Sequence, residues 1–373
     1  MAISIGEIIE SYDPKSSLAE ASTPPASWYI DPRILELEQR TVFAHSWQMA
    51  GRVDQVIDAG RYITCEIGGE SIVAVRGNDN VLRAFYNVCR HHAAAVARHR
   101  EGVAANFRCP YHGWTYNLEG VLLRAPEFGG VVNFDRAAHG LLAVQIAAWK
   151  NWIWVKLEPE DLSLEAFLGA DLVRQFEPLN LEQLRWFERR VYTLHCNWKV
   201  FVDNYLDGGY HVPHIHGGLN TVLDYGNYTI ETGERFCLQS SPISKEPSGS
   251  PTAAVRHGER ALYYWIYPNF MINIYDQVMD TNLVIPRAVD CTEVIFDYYF
   301  ADVSEPTRER NLASIAISEQ IQSEDVAICE SVQRGLSSRS YDSGRLSVRR
   351  EAGEHLFHRL LYANLRAGLP ANK

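Results

Sequence analysis

Two short segments of the chain each pair one cysteine with one histidine. The first has the pattern Cys-x-His at Cys89 and His91, and the second has the pattern Cys-x-x-His at Cys109 and His112. Two thiolates and two imidazoles bind tetrahedral zinc, or hold a [2Fe–2S] cluster in which the cysteines ligate one iron and the histidines the other. Zinc fingers usually pair like with like, whereas each tight pair here mixes the two types. The spacing therefore favours a [2Fe–2S] cluster held between two loops. We expect His92 to be a solvated loop residue and not a ligand.

Histidine ligation raises the reduction potential of such a cluster and adds a ring nitrogen that titrates. These properties suit one-electron transfer better than a purely structural role. A structural zinc ion at the same four side chains is the alternative interpretation.

A second group of metal-binding side chains lies in the stretch that ends at His216. It contains three histidines, His211, His214 and His216, preceded by acids and amides. Two histidines and one carboxylate on one face of Fe(II) leave the opposite positions open for O₂. His211 can pair with either of the other two histidines, because a proline between them should break the helix. The carboxylate must come from elsewhere, and Glu324 and Asp325 on a predicted late helix are the candidates.

Short apolar runs separated by glycine and asparagine turns dominate residues 40–160, which predicts a small antiparallel β domain there. Residues 1–39 and 161–373 mix helices with strands and form a second domain. The fold class is therefore α+β: a small antiparallel β domain inserted in a larger mixed domain with an antiparallel sheet flanked by helices. We expect helices at Pro32–His45, Leu164–Phe176, Trp198–Leu206, Glu305–Gly335 and Glu351–Arg366, and strands at Ala261–Tyr267 and Glu293–Phe300.

Composition narrows the class of protein further. The 373 residues carry a formal net charge of -11, which disfavours a nucleic-acid partner because such proteins need a concentrated basic surface. The chain has neither a run of about 18 apolar residues nor a basic and apolar secretory leader, so we expect a cytoplasmic protein without membrane contact. Seven scattered cysteines fit metal ligands and free thiols in a reducing compartment.

Together the two constellations resemble the α subunit of Rieske non-haem iron oxygenases, over nearly the whole chain. The resemblance implies a Rieske [2Fe–2S] cluster on the two Cys-His pairs and a mononuclear Fe(II). The family's iron motif ends in two histidines separated by four residues, which selects His211 and His216, and its C-terminal ligand carries over to Asp325. His214 then becomes a candidate for the substrate pocket.

One position departs from the family pattern. In many relatives an acidic residue stands three positions before the first iron histidine and links it by hydrogen bonds to a cluster histidine of the neighbouring subunit. Here that position holds Gly208, and the acid is Asp207. Because the Gly208-Gly209 pair permits unusual backbone angles, Asp207 can still reach, with Asp203 as the alternative. Asp203 and Asn204 are the other candidate catalytic residues. The alternative is that their side chains cap the local helix or form hydrogen bonds with it.

Within the family, the segments Asn204–Pro213, Tyr267–Asn273 and Met279–Asn282 resemble the choline monooxygenase and glycine betaine demethylase branch. The likeness implies hydroxylation of an N-methyl or other C–H group on a small quaternary-ammonium substrate such as choline or a betaine. Aromatic faces recognise methylated ammonium ions, although aromatic residues on strands more often belong to the core. The candidate pocket residues are Tyr205, Tyr267, Phe270 and Asn273, together with His214.

The sequence lacks a Gly-rich dinucleotide-binding motif, so we expect a separate NAD(P)H-dependent reductase to supply the electrons. By resemblance the subunits form a head-to-tail homotrimer, which is a closed ring of heterologous contacts. Three alternative functions stay open at this point. They are an aromatic-ring dioxygenase that forms cis-diols, a zinc-stabilised binding protein, and a simple electron carrier.

Overall fold

The computed structural model describes residues 3–159, 162–244, 252, 255–256 and 258–370. The chain divides into two units, Gln39–Phe167 and Met1–Glu38 with Leu168–Lys373. One continuous stretch forms the smaller unit, and the two stretches that flank it form the larger. Both contain antiparallel sheets, and the larger unit also carries the long helices, so the predicted α+β class is confirmed.

Ten strands form the smaller unit: β1 (Gln48–Arg52), β2 (Arg61–Ile67), β3 (Glu70–Arg76), β4 (Leu82–Tyr86), β5 (Glu101–Val103), β6 (Phe107–Arg108), β7 (Thr115–Tyr116), β8 (Leu122–Arg124), β9 (Ala143–Trp149) and β10 (Trp152–Lys156). Seven of them form one sheet in the order β1-β10-β9-β4-β3-β2-β5, and the others form a small sheet in the order β6-β7-β8. Phe85, Phe107, Trp114 and Tyr116 pack in one buried apolar cluster that also contains both loop cysteines. The core of this unit therefore lies directly against the two Cys-His loops.

Seven strands form the sheet of the larger unit: β11 (Arg185–Leu194), β12 (Thr229–Thr232), β13 (Phe236–Pro242), β14 (Arg260–Ile266), β15 (Phe270–Tyr275), β16 (Val278–Ala288) and β17 (Cys291–Phe300). Their order is β11-β17-β16-β15-β14-β13-β12. Val294, Phe296 and Tyr298 on β17 are buried, as a two-residue period predicts. Asp297 and Tyr299, whose side chains point to the opposite face, are buried as well. The second half of β17 is therefore covered on both faces.

The helices are α1 (Ile5–Glu10), α2 (Ser27–Ile30), α3 (Pro32–Glu38), α4 (Leu164–Leu168), α5 (Ala170–Phe176), α6 (Trp198–Leu206), α7 (Val212–Ile215), α8 (Gly217–Asn220), α9 (Arg308–Leu336) and α10 (Ala352–Ala367). The predicted bounds of α6 are confirmed, and those of α9 and α10 differ from the structure by at most three residues at either end. The single helix expected at Leu164–Phe176 is instead two helices, because Gly169 has a φ of 81°. The helix expected at Pro32–His45 ends at Glu38 and continues as one π-helical turn. Among the residues that the structure describes, no helix is both long and apolar enough to cross a membrane.

Candidate functional site

Two loops of the smaller unit share one backbone geometry and carry the predicted cluster ligands. The backbone N–H of Cys89 donates to the carbonyl five residues later (2.9 Å), and that of Cys109 does the same (2.8 Å). Each cysteine carbonyl accepts a hydrogen bond from the residue four positions later, Ala93 or Gly113, at 3.0 and 3.1 Å. Both of these residues have positive φ, 61° and 72°, which lets the chain reverse within each loop. The two Cys-His pairs are therefore presented by matching tight turns.

The four side chains on these loops have the properties that a [2Fe–2S] cluster requires. Cys89 and Cys109 are buried, which shields their sulfur atoms from solvent. The rings of His91 and His112 lie 4.7 Å apart between centroids. Nδ1 of His91 is buried and has no hydrogen-bond partner in the described parts of the chain. A buried polar atom left unpaired costs about 1–3 kcal/mol, so this nitrogen fits a ligand to iron.

Aromatic side chains support the loops. The hydroxyl of Tyr116 accepts from the backbone N–H of Arg90 (3.0 Å), so its own proton is free to donate to Sγ of Cys89, 3.3 Å away. The ring of His91 stacks on Trp114, with centroids 4.8 Å apart and an angle of 4° between the planes. Hydrogen bonds to cluster sulfur ligands raise the reduction potential, so Tyr116 is a tuning group in addition to a packing residue.

A buried ion pair fixes the helix that precedes the iron motif. The side chain of Asn197 caps α6 by accepting from the backbone N–H of Lys199 (3.1 Å). Nζ of Lys199 lies 2.6 Å from one carboxylate oxygen of Glu38, and the other oxygen accepts from Nε1 of Trp198 at 2.7 Å. Removing one partner of such a pair leaves an uncompensated buried charge and costs about 3–5 kcal/mol. The start of α6 is therefore rigidly held, and its last turn leads into the iron motif.

Asp207 reaches His211 because the two glycines that follow it reverse the chain. Gly208 and Gly209 both have a φ of 68°, and a Cβ on Gly208 would clash with the carbonyl oxygen of Arg350. The Asp207 carboxylate accepts from the backbone N–H of His211 (2.9 Å) and lies 2.5 Å from its Nδ1. The acid that stands one residue early in the sequence thus contacts the first iron histidine.

Three side chains of the larger unit converge on one position. Nε2 of His211 lies 3.0 Å from Nε2 of His216 and 3.7 Å from Oδ1 of Asp325, and the latter two atoms are 3.1 Å apart. A divalent ion such as zinc holds imidazole nitrogen at about 2.0–2.1 Å, so two ligands at a right angle lie about 3 Å apart. Two of the three separations match a right angle and the third, at 3.7 Å, is wider; the three atoms can ligate one ion as the two histidines and one carboxylate that bind non-haem Fe(II).

Carboxylates on the far side of each imidazole fix its protonation. Nδ1 of His211 faces Asp207, and Nδ1 of His216 lies 2.7 Å from Oε2 of Glu324. Because each carboxylate accepts the Nδ1 proton, the Nε2 atom of each neutral ring carries a lone pair. Two lone pairs 3.0 Å apart repel unless a cation lies beside them. Burial alone would lower the pKa of His216, but Asp325 and Glu324 outweigh it and raise that pKa, which reflects the same demand for positive charge.

The two remaining candidates on α6 have different surroundings. Nδ2 of Asn204 donates to Oδ1 of Asp325 at 2.9 Å and so holds the third ligand in place. Asp203 accepts from the hydroxyl of Tyr29 (2.7 Å) and lies 2.9 Å from Nε2 of the buried His358. Asp203 therefore makes its hydrogen bonds in a separate buried network, whereas Asp207 contacts the iron motif.

A cavity lies beside the three ligands, which form part of its wall. Its volume of about 110 Å³, counted as the space open to the centres of water molecules, suits a small organic molecule. Much of the rest of the wall is aromatic, and a smaller set of polar side chains is grouped among the rings. The aromatic residues are Phe201, Tyr205, Tyr228, Tyr263, Tyr275 and Phe296, and the polar ones include Asn204, Gln239, Arg256, Asn273, Asp280 and Asn282.

Two of the five expected pocket residues line this cavity. The hydroxyl of Tyr205 donates to Oδ1 of Asn273 at 2.8 Å, and both residues belong to the wall. The other three lie elsewhere. Tyr267 donates its hydroxyl proton to an asparagine of α10 (2.7 Å), Phe270 is buried in the core at 1% exposure, and His214 is exposed. Phe270 points to the other face of β15, because the two-residue period separates it from Asn273 and Tyr275, and Tyr267 lies beyond the end of β14, in the turn before β15.

Sequence reasoning placed Asn273 of β15 in the pocket but not the polar residues of β16. Asn273 lies opposite Tyr263 on one side and opposite Asp280 on the other, and its Nδ2 donates to Oδ2 of Asp280 at 2.7 Å. Asp280 is buried; burial raises its pKa, while the charge of Arg256 and the two amide donors act in the opposite direction. The available signal was an acid and an amide two residues apart, Asp280 and Asn282, within an apolar strand.

Two family models match the chain. The Rieske [2Fe-2S] domain matches residues 46–135, and the ring hydroxylating alpha subunit (catalytic domain) matches residues 181–367. Two similar proteins are a chloroplastic choline monooxygenase of Arabidopsis thaliana, 38% identical over 97% of this chain and 87% of its own length, and the carnitine monooxygenase oxygenase subunit of Escherichia coli (strain K12), 34% identical over 92% and 93%. A crystal structure of a quaternary ammonium Rieske monooxygenase in complex with L-carnitine is 28% identical, with a TM-score of 0.80 over 92% of this chain and 96% of that one.

Proposed function

Because this chain belongs to the Rieske non-haem iron oxygenases, a family of oxidoreductases, we propose that it is a monooxygenase acting on a small quaternary-ammonium substrate. It uses O₂ and electrons from a separate NAD(P)H-dependent reductase to hydroxylate an N-methyl or neighbouring C–H group. Similar proteins named for choline and carnitine, and the structure with L-carnitine bound, support this substrate class. The observation in this chain that carries the proposal is an aromatic cavity with a buried carboxylate beside the iron ligands.

The walls of the cavity suit a methylated ammonium ion. Such an ion cannot donate a hydrogen bond, so a protein binds it with ring faces and nearby negative charge. Tyr228, Tyr263 and Tyr275 line the cavity, and burial raises the pKa of all three, so their rings stay neutral. Asp280 adds a carboxylate that is 3% exposed. A flat arene needs the rings but gains nothing from this acid.

The residues of the two candidate metal sites fit the family's two metal groups, the [2Fe–2S] cluster and the mononuclear iron. When bound, the [2Fe–2S] cluster supplies single electrons and the mononuclear Fe(II) activates O₂. The chain's own part is positional: Asp207 and Glu324 hold the Nδ1 protons of His211 and His216, which leaves both Nε2 atoms free to ligate. Asn204 orients the third ligand, and the apolar part of the wall excludes water from the reacting C–H group.

Asp207 is the proposed electron bridge between subunits. One carboxylate oxygen contacts Nδ1 of His211, and the other accepts from the backbone N–H of Tyr210 at 3.1 Å. On the smaller unit the cluster histidine His112 is exposed, as a group that donates electrons to another subunit must be. A head-to-tail homotrimer, in which one subunit's cluster serves the next subunit's iron, accounts for both features.

A substrate panel tests the proposed function. Iron-loaded protein with a Rieske reductase and NADH is offered choline, glycine betaine, L-carnitine, a simple arene and 3,3-dimethyl-1-butanol, the neutral isostere of choline. We expect at least one quaternary ammonium compound to yield an aldehyde or formaldehyde product with one oxygen atom from ¹⁸O₂. The neutral isostere should give no product, because it lacks the charge that Asp280 and the rings bind.

Other outcomes identify the alternatives. A cis-diol from the arene, without turnover of any quaternary ammonium compound, would make the protein an aromatic-ring dioxygenase. Colourless protein that contains zinc and no iron would support a zinc-stabilised binding protein. Reduction and reoxidation of the cluster that is unaffected by loss of the mononuclear iron would support a simple electron carrier.

A further inference from the structure

One side chain in the cavity wall, Arg256, is not explained by the binding of a cation. It is 3% exposed, and its two Nη atoms donate to the hydroxyls of Ser314 (2.7 Å) and Ser318 (2.5 Å). Its guanidinium carbon lies 4.5 Å from the ring centroid of Tyr275. Within the described residues Arg256 forms no ion pair, and its buried Nε has no hydrogen-bond partner. Its direct contacts are neutral hydroxyls and a ring, while Asp280, whose pKa its charge lowers, lies in the wall of the same cavity.

A buried charge of this kind calls for an anion. Desolvating a charged side chain costs several kcal/mol, and only a well-placed counter-charge with hydrogen bonds repays that cost. The acid in the same cavity, Asp280, instead accepts from the side chains of Asn273 (2.7 Å) and Asn282 (3.2 Å). A guanidinium has five N–H donors in a planar fork that matches a carboxylate. The two serine hydroxyls use two of these donors, so three N–H groups of a side chain that lines the cavity remain for a ligand.

The helix that holds Arg256 also carries an iron ligand. Ser314, Ser318 and Asp325 lie on α9 at spacings of four and seven residues, which places them on one face of the helix. Ser318 and Asp325 are separated along the axis by about 10 Å at the usual rise per residue. Helix α9 therefore sets the guanidinium at a fixed position relative to the iron ligands, as a substrate-orienting group requires.

We propose that Arg256 binds the carboxylate of the substrate, so that the enzyme acts on zwitterionic betaine-type acids rather than on the alcohol choline. The inference rests on the proposed function and specifies the other end of the substrate. A betaine carries both charges that this cavity complements, the ammonium for Asp280 and the rings and the carboxylate for Arg256. The hydroxyl of choline leaves the guanidinium without a counter-charge. Similar proteins named for choline and for carnitine leave this choice open.

Matched pairs of ligands test the assignment. Calorimetric titration of the oxidised holoenzyme compares glycine betaine with choline, and γ-butyrobetaine with (4-hydroxybutyl)trimethylammonium; each pair differs only in carboxylate against alcohol. We expect the acid of at least one pair to bind about 10- to 100-fold more tightly, the usual value of a charge-assisted hydrogen-bond pair. The kcat/KM values measured with reductase and NADH should show the same preference.

Three variants assign the preference to the guanidinium. Arg256→Gln should reduce the acid-to-alcohol ratio in Kd to within about threefold of unity, and Arg256→Lys should keep an intermediate ratio because it retains charge without the fork. Arg260→Gln is the matched control: Arg260 also donates to a serine hydroxyl, that of Ser240 at 2.8 Å, but it does not belong to the described cavity wall. Its ratio should equal that of the unaltered protein.

The possible outcomes distinguish a failure of the role of Arg256 from a failure of the proposed function. Equal or tighter binding of the alcohols, or an Arg256→Gln variant that weakens acids and alcohols equally, overturns the role of Arg256 and leaves the proposed function standing. Failure of every quaternary ammonium compound to bind overturns both. If Arg256→Gln does not fold, the preference of the unaltered protein and the Arg256→Lys variant decide the question.

Discussion

At the scale of single residues, Asp207 and Glu324 make the same contact with different histidines. Each carboxylate lies within hydrogen-bond distance of the Nδ1 atom of an iron histidine, at 2.5 Å for Asp207 and 2.7 Å for Glu324. Both therefore fix the orientation of their imidazole and the availability of Nε2. Only Asp207 lies close in the sequence to the position at which many relatives carry the acid that links two subunits by hydrogen bonds. The pair offers a way to separate positioning from electron transfer.

Asp207→Asn should retain the cluster, lower iron occupancy to about the extent that Glu324→Gln does and, per bound iron, slow the oxidation of the reduced cluster by O₂ and substrate by about 10- to 100-fold. The amide keeps the shape of the side chain but removes the carboxylate that accepts the Nδ1 proton of His211 and forms the proposed hydrogen-bonded bridge. Metal analysis and stopped-flow absorbance of the cluster are the measurements. Glu324→Gln is the control: it should lower iron occupancy, yet leave the oxidation rate per bound iron nearly unchanged. Equal slowing in both variants would limit Asp207 to positioning His211.

Whether a site residue could be predicted depends on how close it lies in the sequence to the other residues of the same site. The four cluster residues and the two iron histidines each lie within five residues of a partner, so spacing alone identifies them as candidates. Asp325 follows only from the family resemblance, since the pattern of the helix also admits Glu324. Arg256 and Asp280 are far apart in sequence and reach the same cavity wall through strand register and helix packing, which no local pattern encodes.

At the scale of elements, the turn between α6 and α7 decides where the iron motif lies. Gly208 and Gly209 both adopt left-handed backbone angles, and the carbonyl oxygen of Arg350 fills the space beside Gly208. This turn allows an acid at position 207 to face a histidine four residues later. The departure from the family spacing is therefore compensated by backbone conformation, because two consecutive residues without Cβ can reverse the chain.

Gly208→Ala should destabilise the larger unit and displace the acid from His211. A left-handed angle costs a non-glycine residue about 1–2 kcal/mol, and the clash with the Arg350 carbonyl adds to that cost. Gly130→Ala is the matched control, because Gly130 has a φ of 84° in the turn that the backbone N–H of Val131 closes on the carbonyl of Phe128, and no atom lies within 4 Å of an added Cβ. Chemical denaturation and iron analysis should show a small stability loss in Gly130→Ala with full iron, and a larger loss with depleted iron in Gly208→Ala. Similar behaviour of the two variants would remove the clash from the explanation.

Element boundaries were predictable where a capping or breaking residue marks them. Asn197 begins α6 as a side-chain cap, and the predicted bounds of that helix are those observed. Gly169 and the π-helical turn after Glu38 were missed, because both depend on backbone angles that a hydrophobic pattern does not contain. The two-residue period on β17 correctly marked one buried face. It could not show that neighbouring elements cover the other face as well.

At the scale of the whole molecule, the candidate ligands of each proposed redox centre come from one unit alone. The cluster loops belong entirely to Gln39–Phe167, whereas the iron ligands, their carboxylates and the cavity belong to the other unit. Each centre can therefore be removed without altering the ligands of the other. Whether electrons pass within one chain or between neighbouring chains then becomes a question that mixed assemblies can answer.

Subunits that lack one centre should complement each other only if electrons cross between chains. Cys109→Ser removes a cluster ligand and leaves the iron site, and His216→Ala removes an iron ligand and leaves the cluster. Each variant alone should be inactive. In trimers assembled from an equal mixture, half of the subunits hold iron, and half of their neighbours hold a cluster, so product formation should return to about one quarter of normal for a directional ring. Native mass spectrometry verifies the mixed trimers. If the mixed trimers are inactive, electron transfer occurs within a single chain. Asp207 would then not be a bridge between subunits.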